Sequence, residues 1–268
     1  MPTFTQPLWG YALEYPKGWA YRDDGEVTAF ASRPEALDPD YQGEGMGYLL
    51  IRPEFNPFLL PIEPRWSQYI TKIAIMRGAK KLGASEMEIG NLRGYEAELL
   101  LPRKLNRRLW VGLLAAGGLI LHLMVTHRKE ERHLFQEEAS RMVSSLRFVA
   151  HEPSTRPGPY GVPLPQAAQT VPAHQILSDV QPDDPRWATF YLPASPPAAQ
   201  VFFLREAPYE GWEVTELYPY PNIKAPHPFG RMRLEKDGQE VLVAFLPRED
   251  DKHTVLAIHQ AAVSSSAS

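Results

Sequence analysis

The stretch Leu109-Trp-Val-Gly-Leu-Leu-Ala-Ala-Gly-Gly-Leu-Ile-Leu-His-Leu-Met-Val-Thr126 decides the fold. It holds 18 residues, carries no Asp, Glu, Lys or Arg, and lies between Arg107-Arg108 and His127-Arg128-Lys129. Length and basic flanks would suit a helix crossing a membrane. The finer pattern has a period of two. Leu119, Leu121, Leu123 and Val125 alternate with Ile120, His122, Met124 and Thr126; Leu109, Val111 and Leu113 alternate with Arg108, Trp110 and Gly112. That period belongs to strands, whose successive side chains point to opposite faces. Ala115-Ala-Gly-Gly118 sits between the two runs, and glycine adopts the positive φ of a tight hairpin turn freely. The stretch therefore reads as a buried β-hairpin, with a membrane span over 109–126 as the alternative.

Upstream, Tyr11 to Tyr15 reads as a strand stopped by Pro16-Lys-Gly18. A hairpin follows around Asp23-Asp-Gly25, a turn signal with a mechanism, and then a strand from Tyr48 to Arg52. A helix is expected from about Pro64, its apolar stripe Trp66, Tyr69, Ile70 and Ile73, its end at Gly83. Glu86 to Ile89 and Tyr95 to Leu101 read as strands around the turn Asn91-Leu-Arg-Gly94. Downstream, a helix over about 132–146 places Phe135, Ala139, Met142, Val143 and Leu146 on one face. Residues 151–171 are rich in proline, with Pro153, Pro157, Pro159, Pro163 and Pro165, and read as an extended linker. Beyond it come a strand from Ala188 to Leu192 and a helix capped by Ser195 before Pro196. Strands follow around Met232, Val243 and Val255, with a turn at Asp237-Gly238. The expected fold class is α+β, in two domains that are each an antiparallel sheet with flanking helices. The expected domains are 1–150 and 172–262, joined by the linker 151–171 and followed by a disordered tail, 263–268.

Composition narrows the function. The chain has 268 residues, 44% of them hydrophobic and 22% charged, a globular balance for two domains of ordinary size. A net charge of −4 gives no basic footprint for nucleic acid. With no cysteine there are no disulfides, thiolate metal sites or cysteine nucleophiles. Met1 to Pro7 lacks the basic and apolar regions of a secretory signal, so a cytoplasmic location is expected.

Tyr15-Pro-Lys-Gly-Trp19 after a short strand, the hairpin over Gly117-Gly118, and Ser144-Ser-Leu-Arg-Phe148 closing an amphipathic helix carry a resemblance. Residues 8–149 resemble the PsbP/Mog1/DcrB-like fold, an antiparallel sheet flanked by helices. The resemblance implies binding roles: extrinsic subunits of photosystem II, a regulator of a small GTPase, chaperone-like partners of secreted effectors. It carries over no functional residue, because the shared positions are not a site motif. The second half is weakly similar to small β-rich modules appended to bacterial proteins.

Phosphate loops, dinucleotide fingerprints, HExxH and GxSxG are all absent. His127, Glu130, Glu131 and His133 could converge as metal ligands, but their spacing better suits a solvated helix start with carboxylates near the positive end of the dipole. His122, mid-strand with no identifiable carboxylate to orient it, reads as a hydrogen-bonded histidine rather than a base. Asp38, Asp40 and Glu44 lack the ligand order of a calcium loop. No cofactor or metal is expected.

Apolar and aromatic loops carry the stronger hint. Phe58, Leu59 and Leu60 lie in a loop between Phe55 and Pro64 that is apolar for a connection, so it is either buried or a docking patch. Tyr218, Tyr220, His227 and Phe229, with Tyr209 and Trp212, crowd around Pro219, Pro221, Pro226 and Pro228. Proline-stiffened aromatics present area at low entropic cost, which suits a contact surface; a loop folded back on its own sheet is the alternative. The expected role is a non-catalytic protein-binding accessory or assembly factor whose partner is another protein. The alternatives are a small hydrolase or metal-dependent enzyme with a dispersed site, and a membrane-anchored subunit held by 109–126.

Overall fold

The computed structural model describes residues 1–38, 47–90, 92–102, 107–130, 132–151, 155–182, 184–222, 224, 226–248 and 251–261, with only the backbone of 133–135. By its own contacts the chain divides into two compact units: Met1–Thr5 with Tyr11–Phe148, and Gln6–Gly10 with Val149–Ser268. Both are α+β, built on antiparallel sheets.

In the first unit the strands are β1 (Thr3–Gln6), β2 (Tyr11–Glu14), β3 (Ala20–Asp23), β4 (Thr28–Ala31), β5 (Tyr48–Phe55), β6 (Lys80–Ile89), β7 (Leu92–Leu100), β8 (Arg107–Ala116), β9 (Leu119–Arg128) and β10 (Arg147–Phe148). The helices are α1 (Ile62–Arg77) and α2 (Arg132–Ser144). Seven strands form one sheet in the order β3-β4-β5-β9-β8-β7-β6, every neighbouring pair antiparallel. The deciding stretch is its centre. Ala116 pairs with Leu119 across a two-residue turn, and Gly117 takes φ +53°.

Both alternating sets of that hairpin face apolar layers. Leu109, Val111, Leu113 and Ile120 join Trp66 and Ile70 of α1 in one core, with Ala97 and Leu99 of β7. On the opposite face Leu119, Leu121, Leu123 and Val125 are buried, in register with Leu49 and Ile51 of β5. Ala139, Met142 and Val143 of α2 are buried on that side, where α2 packs on β9 and β2. Phe4 meets Phe30 edge-on at 5.4 Å between ring centres, so the small sheet β1-β2-β10 covers the same face near β4. Burial on both faces explains why the stretch is apolar enough to mimic a membrane helix. No helix of the described residues is long and apolar enough to cross a membrane.

Two local expectations are corrected. The first helix ends at Gly78, not Gly83. Gly78 is left-handed at φ +59°, its N–H bonds the Ile75 carbonyl, and the Ala79 N–H bonds the Ala74 carbonyl at 2.9 Å. This doubly bonded closure exposes no side chain to the strain of that conformation, because glycine has none. Gly83 lies instead in β6, where the pairing with β7 shifts register between Lys81 and Gly83. The strand expected from Tyr95 begins at Leu92, so Gly94 is mid-strand rather than in a turn, paired with Met87 and Leu114.

The second unit holds β11 (Arg156–Pro157), β12 (Pro163–Leu164), β13 (Gln169–Val171), β14 (Trp187–Leu192), β15 (Glu213–Tyr218), β16 (Gly230–Lys236), β17 (Gln239–Pro247) and β18 (Thr254–Gln260), with α3 (Pro196–Tyr209). Six strands form an antiparallel sheet ordered β13-β14-β18-β17-β16-β15. Asp237 and Gly238 both take positive φ between β16 and β17, the two-residue turn whose twist matches the flanking strands. Ser195 caps α3, its hydroxyl accepting from the Ala198 N–H. Ala198, Ala199, Phe202, Phe203 and Ala207 are all buried, and Phe203 meets Phe245 of β17 edge-on at 5.4 Å. In the proline-rich stretch, Val162 and Leu164 are buried, and the Gly161 carbonyl accepts from the Trp212 indole at 3.0 Å. The tail 262–268 lies outside the described residues.

Candidate functional site

In the first unit the apolar loop after β5 is a turn fixed by one side chain. Asn56 is buried; its amide nitrogen donates to the Leu60 carbonyl and its amide oxygen accepts from the Leu60 N–H, each at 3.1 Å. The Asn56 carbonyl accepts from the Leu59 N–H at 3.0 Å, and the Asn56 N–H is held by the Gly118 carbonyl at 2.7 Å. An Asn side chain can imitate a stretch of backbone in this way and close a turn without help from a helix or strand. Phe58 and Leu60 are half-buried. Leu59 at the tip has φ +49° and is 67% exposed. A bulky side chain in that region is strained, and burial returns nothing for it here.

In the second unit the proline-rich aromatics sort into two groups. Tyr218 lies under the Arg231 guanidinium, 4.0 Å from the ring centre, with the His227 ring edge-on at 5.8 Å. Such a cation over an aromatic face adds electrostatic attraction to the packing. Tyr220 is tied elsewhere: its hydroxyl donates to Asp251 at 3.1 Å, and burial followed by that hydrogen bond pushes the phenol above its ordinary pKa. Its N–H donates to the Gln200 side chain at 2.8 Å, while the Gln200 amide nitrogen donates to the Tyr218 carbonyl at 3.0 Å. Gln200, fully buried on α3, therefore sets where both tyrosines stand. His227 is exposed and Phe229 is half-buried beside β16. Trp212 is buried, and Tyr209, 62% exposed, stacks on His151 at 3.7 Å.

His122 has the carboxylate that its sequence context does not reveal. Arg52 and His122 are register partners between β5 and β9, and Glu54 approaches the His122 ring at 2.7 Å. Arg65 of α1 holds the other Glu54 oxygen, and Tyr69 meets His122 edge-on at 4.9 Å. Burial would raise the Glu54 carboxyl, but the His122 hydrogen bond and charge, with Arg65 and Arg52, hold it below the ordinary carboxylate range. Burial also pushes the Tyr69 phenol up to about 12. Both oxygens of the carboxylate are engaged, so the trio ties β5, β9 and α1 together.

A cavity of about 300 Å³ opens between α2 and the sheet, lined in part by Met87, Trp110, Val125 and Val143. Two of its carboxylates are also occupied. Glu98 accepts from Arg108 at 2.6 Å, and Glu96 accepts from the Trp110 indole at 2.8 Å and from the Ser85 hydroxyl. The metal-like group is described only in part. His127 is buried with its ring nitrogen 2.7 Å from the Arg128 carbonyl, while Glu131 and the His133 side chain lie outside the described residues. Asp40 and Glu44 lie outside them too. Among the described residues no group of three or more His, Cys, Asp or Glu is placed to hold a metal ion.

No family model and no curated protein matches the chain. Solved structures do. The likeness is to PsbP and Mog1p. The solution structure of cyanobacterial PsbP (CyanoP) from Synechocystis sp. PCC 6803 is 13% identical with a TM-score of 0.42, covering 55% of this chain and 91% of its own. The Ran-binding protein Mog1p of Saccharomyces cerevisiae is 11% identical with a TM-score of 0.38, covering 55% and 95%. A crystal structure from Bacteroides thetaiotaomicron is 14% identical with a TM-score of 0.40, covering 91% of this chain and 86% of its own.

Two features escaped the sequence. Glu54 and His122 are 68 residues apart, and only the β5–β9 register brings them together. Gln200 had a signal: one amide inside the otherwise apolar run Ala198-Ala-Gln-Val-Phe-Phe203 needs a buried partner.

Proposed function

We propose that this protein is a non-catalytic binding factor that docks another protein through the Leu59 loop, with the Tyr218–His227 aromatics as a second contact surface. One observation carries the reading. A buried Asn56 closes a turn in which Leu59 is left-handed and holds its apolar side chain in water. The turn does not need a leucine at this place, since glycine there would relieve the strain. Strain of this kind persists where a surface is preorganised for a ligand. Phe58 and Leu60 flank the tip as the less exposed ring around an anchor, the arrangement in which a central apolar residue dominates affinity. Tyr218 and His227 fit the same role by composition, since aromatics and Arg are enriched in interface centres.

The test separates folding from binding. Leu59→Gly is expected to leave stability unchanged or raise it by up to about 1 kcal/mol, by relief of the left-handed strain. The same variant, and Leu59→Asp, are expected to weaken a partner isolated by native affinity capture and then purified at least about 10-fold. Calorimetric titration of the purified pair reads the affinity, and urea unfolding reads the stability. A glycine variant that binds as the wild type does, or that unfolds more easily, contradicts the docking role of the loop.

A further inference from the structure

β6 is an edge strand. It is the last strand of the seven-stranded sheet, ten residues long, and Lys80 to Glu86 are all exposed. Its inner side is paired with β7 along its length, while among the described residues no strand pairs with its outer side. The opposite edge of that sheet, β3, is four residues long. Long open edges are unusual, because unpaired N–H and C=O groups recruit other strands. Edges are commonly guarded by bulges and lysines, and β6 has both, but at one end only: Lys80, Lys81 and the register shift before Gly83. From Gly83 to Ile89 the strand is regular. A side chain added at Gly83 would meet nothing within 4 Å.

The charges along this edge are ordered. Lys80 and Lys81 open the strand, Gly83-Ala-Ser85 forms an uncharged middle, and Glu86 and Glu88 close it. We propose that β6 pairs with β6 of a second copy of this chain, antiparallel about a two-fold axis near Ala84, joining two seven-stranded sheets into one. In that arrangement the basic end of each strand lies against the acidic end of the other, twice over. Parallel pairing would set like charges together, at a cost. The exposed Leu82, with Ile75 and Met76 just before the strand, supplies apolar area beside the seam. Twofold self-complementarity of a single patch is what an isologous dimer requires. The surface is separate from the Leu59 loop, so neither proposal depends on the other.

Sedimentation of the full chain over a concentration series tests this. The wild type is expected to dimerise reversibly. Lys80→Glu with Lys81→Glu makes the edge wholly acidic, and Glu86→Lys with Glu88→Lys makes it wholly basic. Each variant alone is expected to weaken self-association at least about 10-fold, while an equal mixture of the two forms a heterodimer. Amide exchange in residues 83–88 is expected to slow on dimerisation. All four residues are exposed, and the single changes Lys81→Glu and Glu86→Lys serve if a double variant lowers the melting point. A wild type that stays monomeric at every concentration, variants that associate unchanged, or a mixture that fails to associate overturns the proposal. So does an edge that only a foreign strand-forming peptide protects.

Discussion

At the scale of single residues, two differently placed groups contribute to acid sensitivity. His259 on β18 sits against the Trp187 ring at 4.4 Å, near Arg186. Burial first, then the Arg186 charge, lowers its pKa from the ordinary 6.5, with Asp184 opposing. A histidine that resists protonation only when folded leaves the unfolded chain binding more protons. Its contribution is therefore complete above about 6.5 and is lost as pH falls from there through the lower folded value. Glu54 is the opposite kind of group with the same sign. Its carboxyl is held below the ordinary range, so its contribution is present above about 4.3 and disappears as pH falls further. Unfolding free energy measured against pH is thus expected to fall in two windows, one below about 6.5 and one below about 4, the lower shared with Asp184, whose carboxyl the Arg186 hydrogen bond holds at about 2. His259→Gln should erase the fall in the upper window and leave the lower. An upper fall that survives this change would show that another histidine is responsible. Neither residue's role was legible from its neighbours in sequence, because both shifts depend on burial and on charges from other elements.

At the scale of elements, the hairpin was legible and the details around it were not. Period-two alternation in Leu109 to Thr126 specifies strands whatever surrounds them, and Gly117-Gly118 specifies the turn. Two glycines outside the hairpin do other work than their sequence context predicts. Gly83 looked like a helix terminator because the apolar stripe fades before it; the closure comes five residues earlier at Gly78, and lysines follow at once in an exposed edge strand that has no apolar alternation to announce it. Gly94 looked like a turn residue beside Asn91. It is mid-strand by its pairing, and a side chain there would run into the Leu113 backbone carbonyl of β8. This makes a sharp expectation. Gly94→Ala, conservative in any turn, should destabilise the first unit by about 1–3 kcal/mol, as overpacking against backbone does. Chemical denaturation gives the value, and a loss below about 0.5 kcal/mol would be the ordinary effect of a surface change and would return Gly94 to a turn-like role.

At the scale of the whole molecule, the second unit takes five residues from the far end of the chain. Gln6 to Gly10 belong with Val149–Ser268, between two stretches of the first unit. The excursion is closely held. The Gln6 side-chain oxygen accepts from the N–H groups of Leu8 and Trp9 at 2.8 and 2.9 Å, the Val149 N–H bonds the Gly10 carbonyl at 2.9 Å, and Arg205 of α3 donates to the carbonyls of Pro7 and Leu8. Composition cannot show such a crossing, because it depends on pairing across nearly 200 residues rather than on any local pattern. Trp9 is 2% exposed, and truncation of a buried tryptophan typically costs about 3–5 kcal/mol. Trp9→Ala is therefore expected to speed amide exchange in β14, β17 and β18, although the substitution lies 178 residues before the first of them, at Trp187. Exchange in β8 and β9 should change much less. A variant in which the central hairpin loosens first would place Trp9 in the first unit and remove the reason for treating residues 6–10 as a strand of chain borrowed by the second.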